Sequence, residues 1–84
     1  MKTDVIQSFL EDNRSRYRAE TLRSYKLSLH QFFSFCRKNY DEVKATDIRA
    51  WLASMVEEGL SKNTIHIKLA GLKSFYQYCI EENI

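Results

Sequence analysis

The side chains of this chain that could do chemistry are two histidines, two cysteines and five tyrosines. His30 and His66 have no acidic residue, cysteine or second histidine three or four positions later, the spacing that brings metal ligands together on a helix. No glycine-rich loop that could hold a phosphate is present, since the sequence contains only two glycines. We therefore expect no metal site, no cofactor and no catalytic residue in this chain.

The cysteines and tyrosines fit structural roles better than catalytic ones. Cys36 and Cys79 do not form a C-x-x-C pair, and each falls on an apolar helical face, which is typical of free thiols in a core. Tyr25 and Tyr76 also lie in apolar stripes and are predicted to pack inside. The remaining tyrosines are predicted to lie in loops or to point outward: Tyr17, Tyr40 and Tyr78.

Lysine and arginine are then the side chains most able to bind a ligand, and they cluster along the chain. Residues 13–38 carry seven cations against one acid, and residues 61–80 carry three cations and no acid, although the net charge is only +2. The segments 1–12 and 39–60 are acidic. This segregation favours a polyanion such as duplex DNA as the partner, with ordinary solvated helix faces as the alternative.

The elements that position these cations are predicted to be helices, because proline is absent and glycine is rare. Apolar periodicity places helices at about 4–12, 21–38, 46–58 and 61–81, in one all-α domain. Thr46 and Ser61 are predicted to cap the third and fourth helices, and Gly59 to end the third. No apolar run is long enough to span a membrane and no signal peptide is recognisable, so we expect a soluble cytoplasmic protein.

Helical geometry groups the cations on two of these helices. On the second helix, Arg23, Lys26, His30 and Arg37 fall in one sector beside the apolar stripe. On the fourth helix, Lys62, His66, Lys73 and Gln77 form one flank, and Thr64 and Lys68 form the other. The small residues between these flanks are expected to make a smooth outer face that lets the helix approach DNA closely: Asn63, Ala70, Gly71 and Ser74.

The order and spacing of the core positions resemble one known family. The matching positions are Thr21, Leu22, Tyr25, Leu29 and Phe32, then Thr46, Asp47, Ile48, Trp51 and Leu52, then Gly59, Leu60, Ser61, Thr64, Ile65, Lys68, Leu69, Leu72, Lys73, Phe75 and Tyr76. This pattern resembles the N-terminal, SAM-like core-binding domain of tyrosine recombinases and phage integrases, over nearly the whole chain. The resemblance implies a four-helix orthogonal bundle.

The same resemblance implies a DNA-binding role in integration and recombination. In the family, the second and fourth helices cross and lie in the major groove, while a separate catalytic domain of the same parent chain clamps the other side of the duplex. The catalytic His-x-x-Arg element is missing here, because Phe33 and Leu69 stand three residues after the two histidines. We expect a domain excised at Ile84, where the family's linker begins, that cannot cut DNA.

The resemblance and the charge pattern together define the expected DNA contacts. Lysines and arginines are expected near phosphates, the start of the fourth helix near base edges, and Ile67, where the family usually has a polar residue, near a thymine methyl. The expected set is Arg18, Arg23, Lys26, His30, Lys62, Asn63, Thr64, His66, Ile67, Lys68 and Lys73. Expected partners are the recombination core site and other recombinase protomers on it, with the isolated domain monomeric.

A second interpretation stays open beside DNA binding. Leu27, Phe35 and Ile67 are apolar residues that the helical periodicity directs outward. A small helical module that binds proteins and not DNA would use such residues to dock a partner helix or a neighbouring protomer.

Overall fold

The computed structural model describes the backbone of residues 3–84 and the side chains from Val5 onward, and this range contains helices and no strands. The four α-helices are α1 (Thr3–Asp12), α2 (Ala19–Cys36), α3 (Ala45–Glu57) and α4 (Lys62–Glu81). A short 3-10 helix, Tyr40–Glu42, lies in the predicted break between α2 and α3. The all-α prediction is confirmed, with each boundary within two residues of the expected one. None of the helices in residues 3–84 is long and apolar enough to cross a membrane.

The joint between α3 and α4 forms as predicted. Gly59 has φ +83°, a conformation that glycine adopts without steric cost, and the Leu60 N–H donates to the carbonyl oxygen of Met55 at 3.2 Å. Ser61 then caps α4, because its Oγ accepts a hydrogen bond from the Thr64 N–H at 3.1 Å. The turn between the two helices is therefore short and fully hydrogen-bonded at both ends.

The predicted cap of α3 at Thr46 is wrong. The helix begins one residue earlier, with Lys44 at the N-cap, and the carboxylate of Asp47 accepts a hydrogen bond from the Lys44 backbone N–H at 2.8 Å. An acidic residue in the first turn reaches back to the N-cap and is favoured by the helix dipole. The same carboxylate accepts from Lys38 Nζ at 3.0 Å, and these two hydrogen bonds hold the pKa of Asp47 below its ordinary value.

The core is built around aromatic rings that α4 brings to the centre of the bundle. Phe75 is fully buried, and its ring centroid lies 5.6 Å from Phe9 of α1, 6.0 Å from Phe33 of α2 and 6.2 Å from Tyr40. Edge-to-face ring packing of this kind is favourable beyond the area it buries. Phe75 therefore joins α4 to α1, to α2 and to the 3-10 helix.

The third helix packs through a narrower stripe than predicted. Trp51 is buried, 5.2 Å from the Phe32 ring, and Met55 is buried one turn later. Leu52 and Val56, which were expected on the same apolar face, are 37% and 60% exposed. Their positions fall at the edge of the stripe, and Val56 is the more exposed of the two.

The prediction that Tyr78 points outward is also wrong. Tyr78 is buried against Phe9, with ring centroids 5.5 Å apart, and its hydroxyl donates to Asp12 Oδ2 at 2.7 Å. Burial and this hydrogen bond raise the pKa of Tyr78. The reason is that α1 packs over this side of α4, so that a position outside the main apolar stripe is covered.

The small residues of α4 do not form a smooth outer face, contrary to the prediction. Gly71 is buried against α2, where a Cβ at its position would stand 3.4 Å from Ser28 Cβ. Ser28 is itself 2% exposed, and its hydroxyl donates to the Ser24 carbonyl oxygen at 3.0 Å. Small side chains on both helices allow α2 and α4 to cross at close range. The crossing fixes how the two basic helices stand relative to each other.

Candidate nucleic-acid interface

The cations predicted on α2 are exposed along that helix. Arg23, Lys26 and His30 are all exposed, as is Arg18, which stands at the N-cap position just before the helix begins. Arg37 adopts a left-handed conformation, with φ 56°, and ends the helix. The continuous basic flank predicted from the sequence therefore stops at His30 within the helix, with Arg37 beyond its last turn.

Arg23 and Lys26 lie on the α1 side of α2. They line a shallow groove between the two helices together with Arg14 and Glu11. Glu11 is exposed and already accepts a hydrogen bond from Gln7 at 3.1 Å. Three cations and one acid therefore line this groove.

The predicted contacts at the start of α4 divide into two groups. The side chains of one group are exposed: Lys62, Asn63, His66, Ile67 and Lys73. Thr64 is half-buried, and its hydroxyl accepts a hydrogen bond from Ser61 Oγ at 3.0 Å. Thr64 is therefore hydrogen-bonded to the residue that caps α4, and its contact with a base edge stays a prediction.

His66 and Lys73 share one outward surface of α4, as the helical spacing predicted. They stand at the rim of a largely apolar groove of about 490 Å³, whose floor includes Ile48 of α3 and Leu69 and Tyr76 of α4. The hydroxyl of Tyr76 donates to the Tyr40 carbonyl oxygen at 2.6 Å. This hydrogen bond ties the Tyr76 side chain to the 3-10 helix beside the groove.

Lys68 is placed differently from the other cations of α4. It is half-buried and turned toward α2, where its Nζ donates to Gln31 Oε1 at 2.5 Å. Both residues line a groove of about 640 Å³ that also includes His30, Phe35 and Trp51. Lys68 and Gln31 form a direct side-chain bridge between the two basic helices.

Gln31 is a candidate that reasoning from the sequence missed. It follows His30 directly and is exposed, but it carries no charge and lies outside the sector that holds the cations of α2. Its partner stands 37 positions away in the sequence. Only the crossing of α2 over α4 brings the two side chains together.

The chemistry of this surface is that of hydrogen-bond donors and charge. Among the described residues, no group of three or more histidine, cysteine, aspartate or glutamate side chains could hold a metal ion. Every buried side-chain nitrogen and oxygen in the described part of the chain has a hydrogen-bond partner.

Four helices, with α3 and α4 joined by a tight turn and with exposed cations on α2 and α4, define a small SAM-like helical domain. The family described as the phage integrase N-terminal SAM-like domain matches residues 6–83. The chain belongs to that family. This confirms the resemblance inferred from the order of its core positions.

The relatives of the chain include bacterial tyrosine recombinases named XerC. The chain is 36% identical over 64 residues to XerC of Thermodesulfovibrio yellowstonii, an alignment that covers 76% of this chain and 21% of the relative. It is 33% identical over 79 residues to XerC of Bacillus subtilis, covering 89% of this chain and 25% of the relative. The chain thus spans about a quarter or less of the length of these relatives. No solved structure matches it significantly.

Proposed function

We propose that this chain is the DNA-binding domain of a site-specific tyrosine recombinase and grips the duplex of the core site through α2 and α4 in the major groove. The observation that carries the proposal is the close crossing of two basic helices at Gly71. Membership of the integrase family and similarity to XerC recombinases support the same function.

The crossing gives the two helices complementary tasks. The major groove of B-DNA is about 12 Å wide and admits an α-helix. Where two helices cross at its mouth, one set of side chains can reach base edges while another set reaches the phosphates on either side. We assign the phosphates to Arg18, Arg23, Lys26, His30, Lys62 and Lys73. We assign base edges to the first turns of α4, through Asn63, Thr64, His66 and Ile67.

In this proposal, a separate catalytic domain cleaves the DNA strands. The chain does no chemistry itself and works with the catalytic domain of a longer parent protein and with further recombinase protomers on the same DNA. Its contribution is to place and hold the duplex, mainly through release of counterions from the phosphates that its cations neutralise.

A salt titration with random-sequence duplex tests this function. The fluorescence anisotropy of a labelled duplex should rise with the chain at low salt, and log K should fall linearly with log salt with a slope of about −3 to −5, as several phosphate contacts require. A variant lacking both Lys62 and Lys73 should bind more weakly with a shallower slope. An anisotropy that stays flat at low salt and high protein concentration would refute the proposal.

A second candidate function is protein binding without DNA. Leu27, Phe35 and Ile67 are 55%, 43% and 42% exposed, as this alternative predicted. Isolated exposed apolar residues are common on soluble domains, but three of them on α2 and α4 provide apolar surface that a partner helix could bury. Sedimentation of the chain, alone and with duplex, separates the two functions, because a protein-binding module would self-associate or stay inert toward DNA at every salt concentration.

A further inference from the structure

The bridge between Gln31 and Lys68 has a chemical consequence that neither residue has alone. Lys68 Nζ donates to Gln31 Oε1 at 2.5 Å, joining α4 to α2. Gln31 is exposed and Lys68 is half-buried, so the pair lies at the surface with Gln31 as its more accessible member.

An ammonium group can only donate hydrogen bonds, and this fixes the orientation of the glutamine amide. The amide oxygen must face Lys68, and the amide nitrogen with its two hydrogens must face away from it. Two further hydrogens remain on the lysine nitrogen. The oxygen keeps one lone pair beside the ammonium group, so donors dominate the edge that this pair offers to a ligand: two amide hydrogens and two ammonium hydrogens.

We propose that the Gln31–Lys68 pair reads guanine in the major groove. The inference rests on the proposed function, because it requires α2 and α4 to face the groove. Guanine is the base that presents two acceptors there, N7 and O6. Adenine presents one acceptor and an amino donor, cytosine presents an amino donor, and thymine presents one acceptor beside a methyl group, so each matches a donor edge less well.

The lysine thus changes the base that a glutamine selects. A glutamine without such a partner pairs with adenine, donating to N7 and accepting from the N6 amino group. The bond from Lys68 takes one of the two lone pairs of that oxygen and holds an ammonium group beside it, where the N6 amino group of adenine would meet another donor. The specificity of this position is therefore set by two helices together and not by the glutamine itself.

The test is a selection from a randomised duplex pool at low salt with the 84-residue chain and its variants, followed by sequencing. The wild type should enrich a motif that contains a guanine position. In Gln31→Glu the bond from Lys68 persists while a carboxylate acceptor replaces the two amide donors, so this position should change from guanine to cytosine, which glutamate reads. In Lys68→Met the amide oxygen is released, and the position should change to adenine.

Gln7→Glu on α1 is the matched control, since it introduces the same charge at an exposed glutamine away from the α2–α4 bridge. It should leave the guanine position unchanged. A direct measurement follows with 7-deazaguanine at that position, which lacks the N7 acceptor. Wild-type affinity should fall about 5- to 150-fold, the range for one lost base contact, and Gln31→Glu should be insensitive.

The results distinguish this inference from the function on which it rests. If the wild type binds duplex but enriches no guanine, or if the guanine survives in Gln31→Glu, the bridge is merely structural and the inference is overturned while DNA binding stands. If the wild type retains no duplex at low salt, both are overturned.

Discussion

Gly71 of α4 lies directly against Tyr25 of α2, since a Cβ at Gly71 would stand 3.1 Å from Tyr25 Cδ1 and 3.3 Å from Tyr25 Cα. The second of these atoms belongs to the backbone, so the neighbour cannot simply rotate away. The absence of a side chain at Gly71 therefore sets the distance between the two helices proposed to hold DNA.

We predict that Gly71→Val lowers the free energy of unfolding by about 2–3 kcal/mol, because the added atoms force α2 and α4 apart. Ala70→Val, at the neighbouring half-buried position, is the matched control and should cost only about 0.5 kcal/mol through helix propensity. Urea denaturation followed by circular dichroism measures both. Equal effects of the two substitutions would contradict the tight crossing.

Trp51→Ala should lower the free energy of unfolding by about 3–5 kcal/mol, because it leaves a cavity beside Phe32 in the core. Trp51 is 4% exposed, whereas its neighbour Leu52 is 37% exposed. Leu52→Ala should therefore cost less than about 1 kcal/mol. The loss expected for Trp51→Ala should appear as a lower urea midpoint and a lower melting temperature. An unchanged melting temperature of this variant would show that the indole is not part of the core.

Asp47→Asn should destabilise the protein at neutral pH and have less effect in acid. Because the pKa of Asp47 in the folded state lies below its ordinary value of 3.8, the folded state binds fewer protons than the unfolded state near that pH. The stabilisation is present above pH 3.8 and is lost as the pH falls through the folded-state pKa. Urea midpoints of both proteins between pH 7 and about pH 2 test this, and a difference that does not change with pH would contradict it.

Replacing Lys62 or Lys73 by alanine should weaken binding to all duplexes alike and reduce the salt slope by about one unit, since each is proposed to neutralise one phosphate. Sequence preference should not change. Arg49→Ala on the acidic helix α3 removes the same charge at an exposed site and is the control, with no change of slope expected. If Arg49→Ala altered the salt slope while both lysine variants left it unchanged, the proposal would place the DNA on the wrong face of the domain.

The number, order and approximate limits of the helices follow from the sequence, because they depend on local interactions. Apolar spacing marks the buried stripe of each helix, and Ser61 and Gly59 act through hydrogen bonds and backbone angles within a few residues. Even at this level the prediction that Thr46 caps α3 is wrong, since the Asp47 carboxylate bonds to the Lys44 N–H and Lys44 becomes the N-cap. The family could be inferred from the spacing of the core positions for the same reason.

The tertiary structure alone decided which surfaces face outward and which side chains meet. A stripe of small residues such as that around Gly71 is compatible with solvent or with a close helix crossing, and only the packing of α2 selects the crossing. Tyr78 is buried because α1 happens to cover it, and Lys68 meets Gln31 because two helices distant in sequence cross. Helical periodicity describes one helix at a time, whereas these features depend on the position of a second helix, which is set by the packing of the whole core.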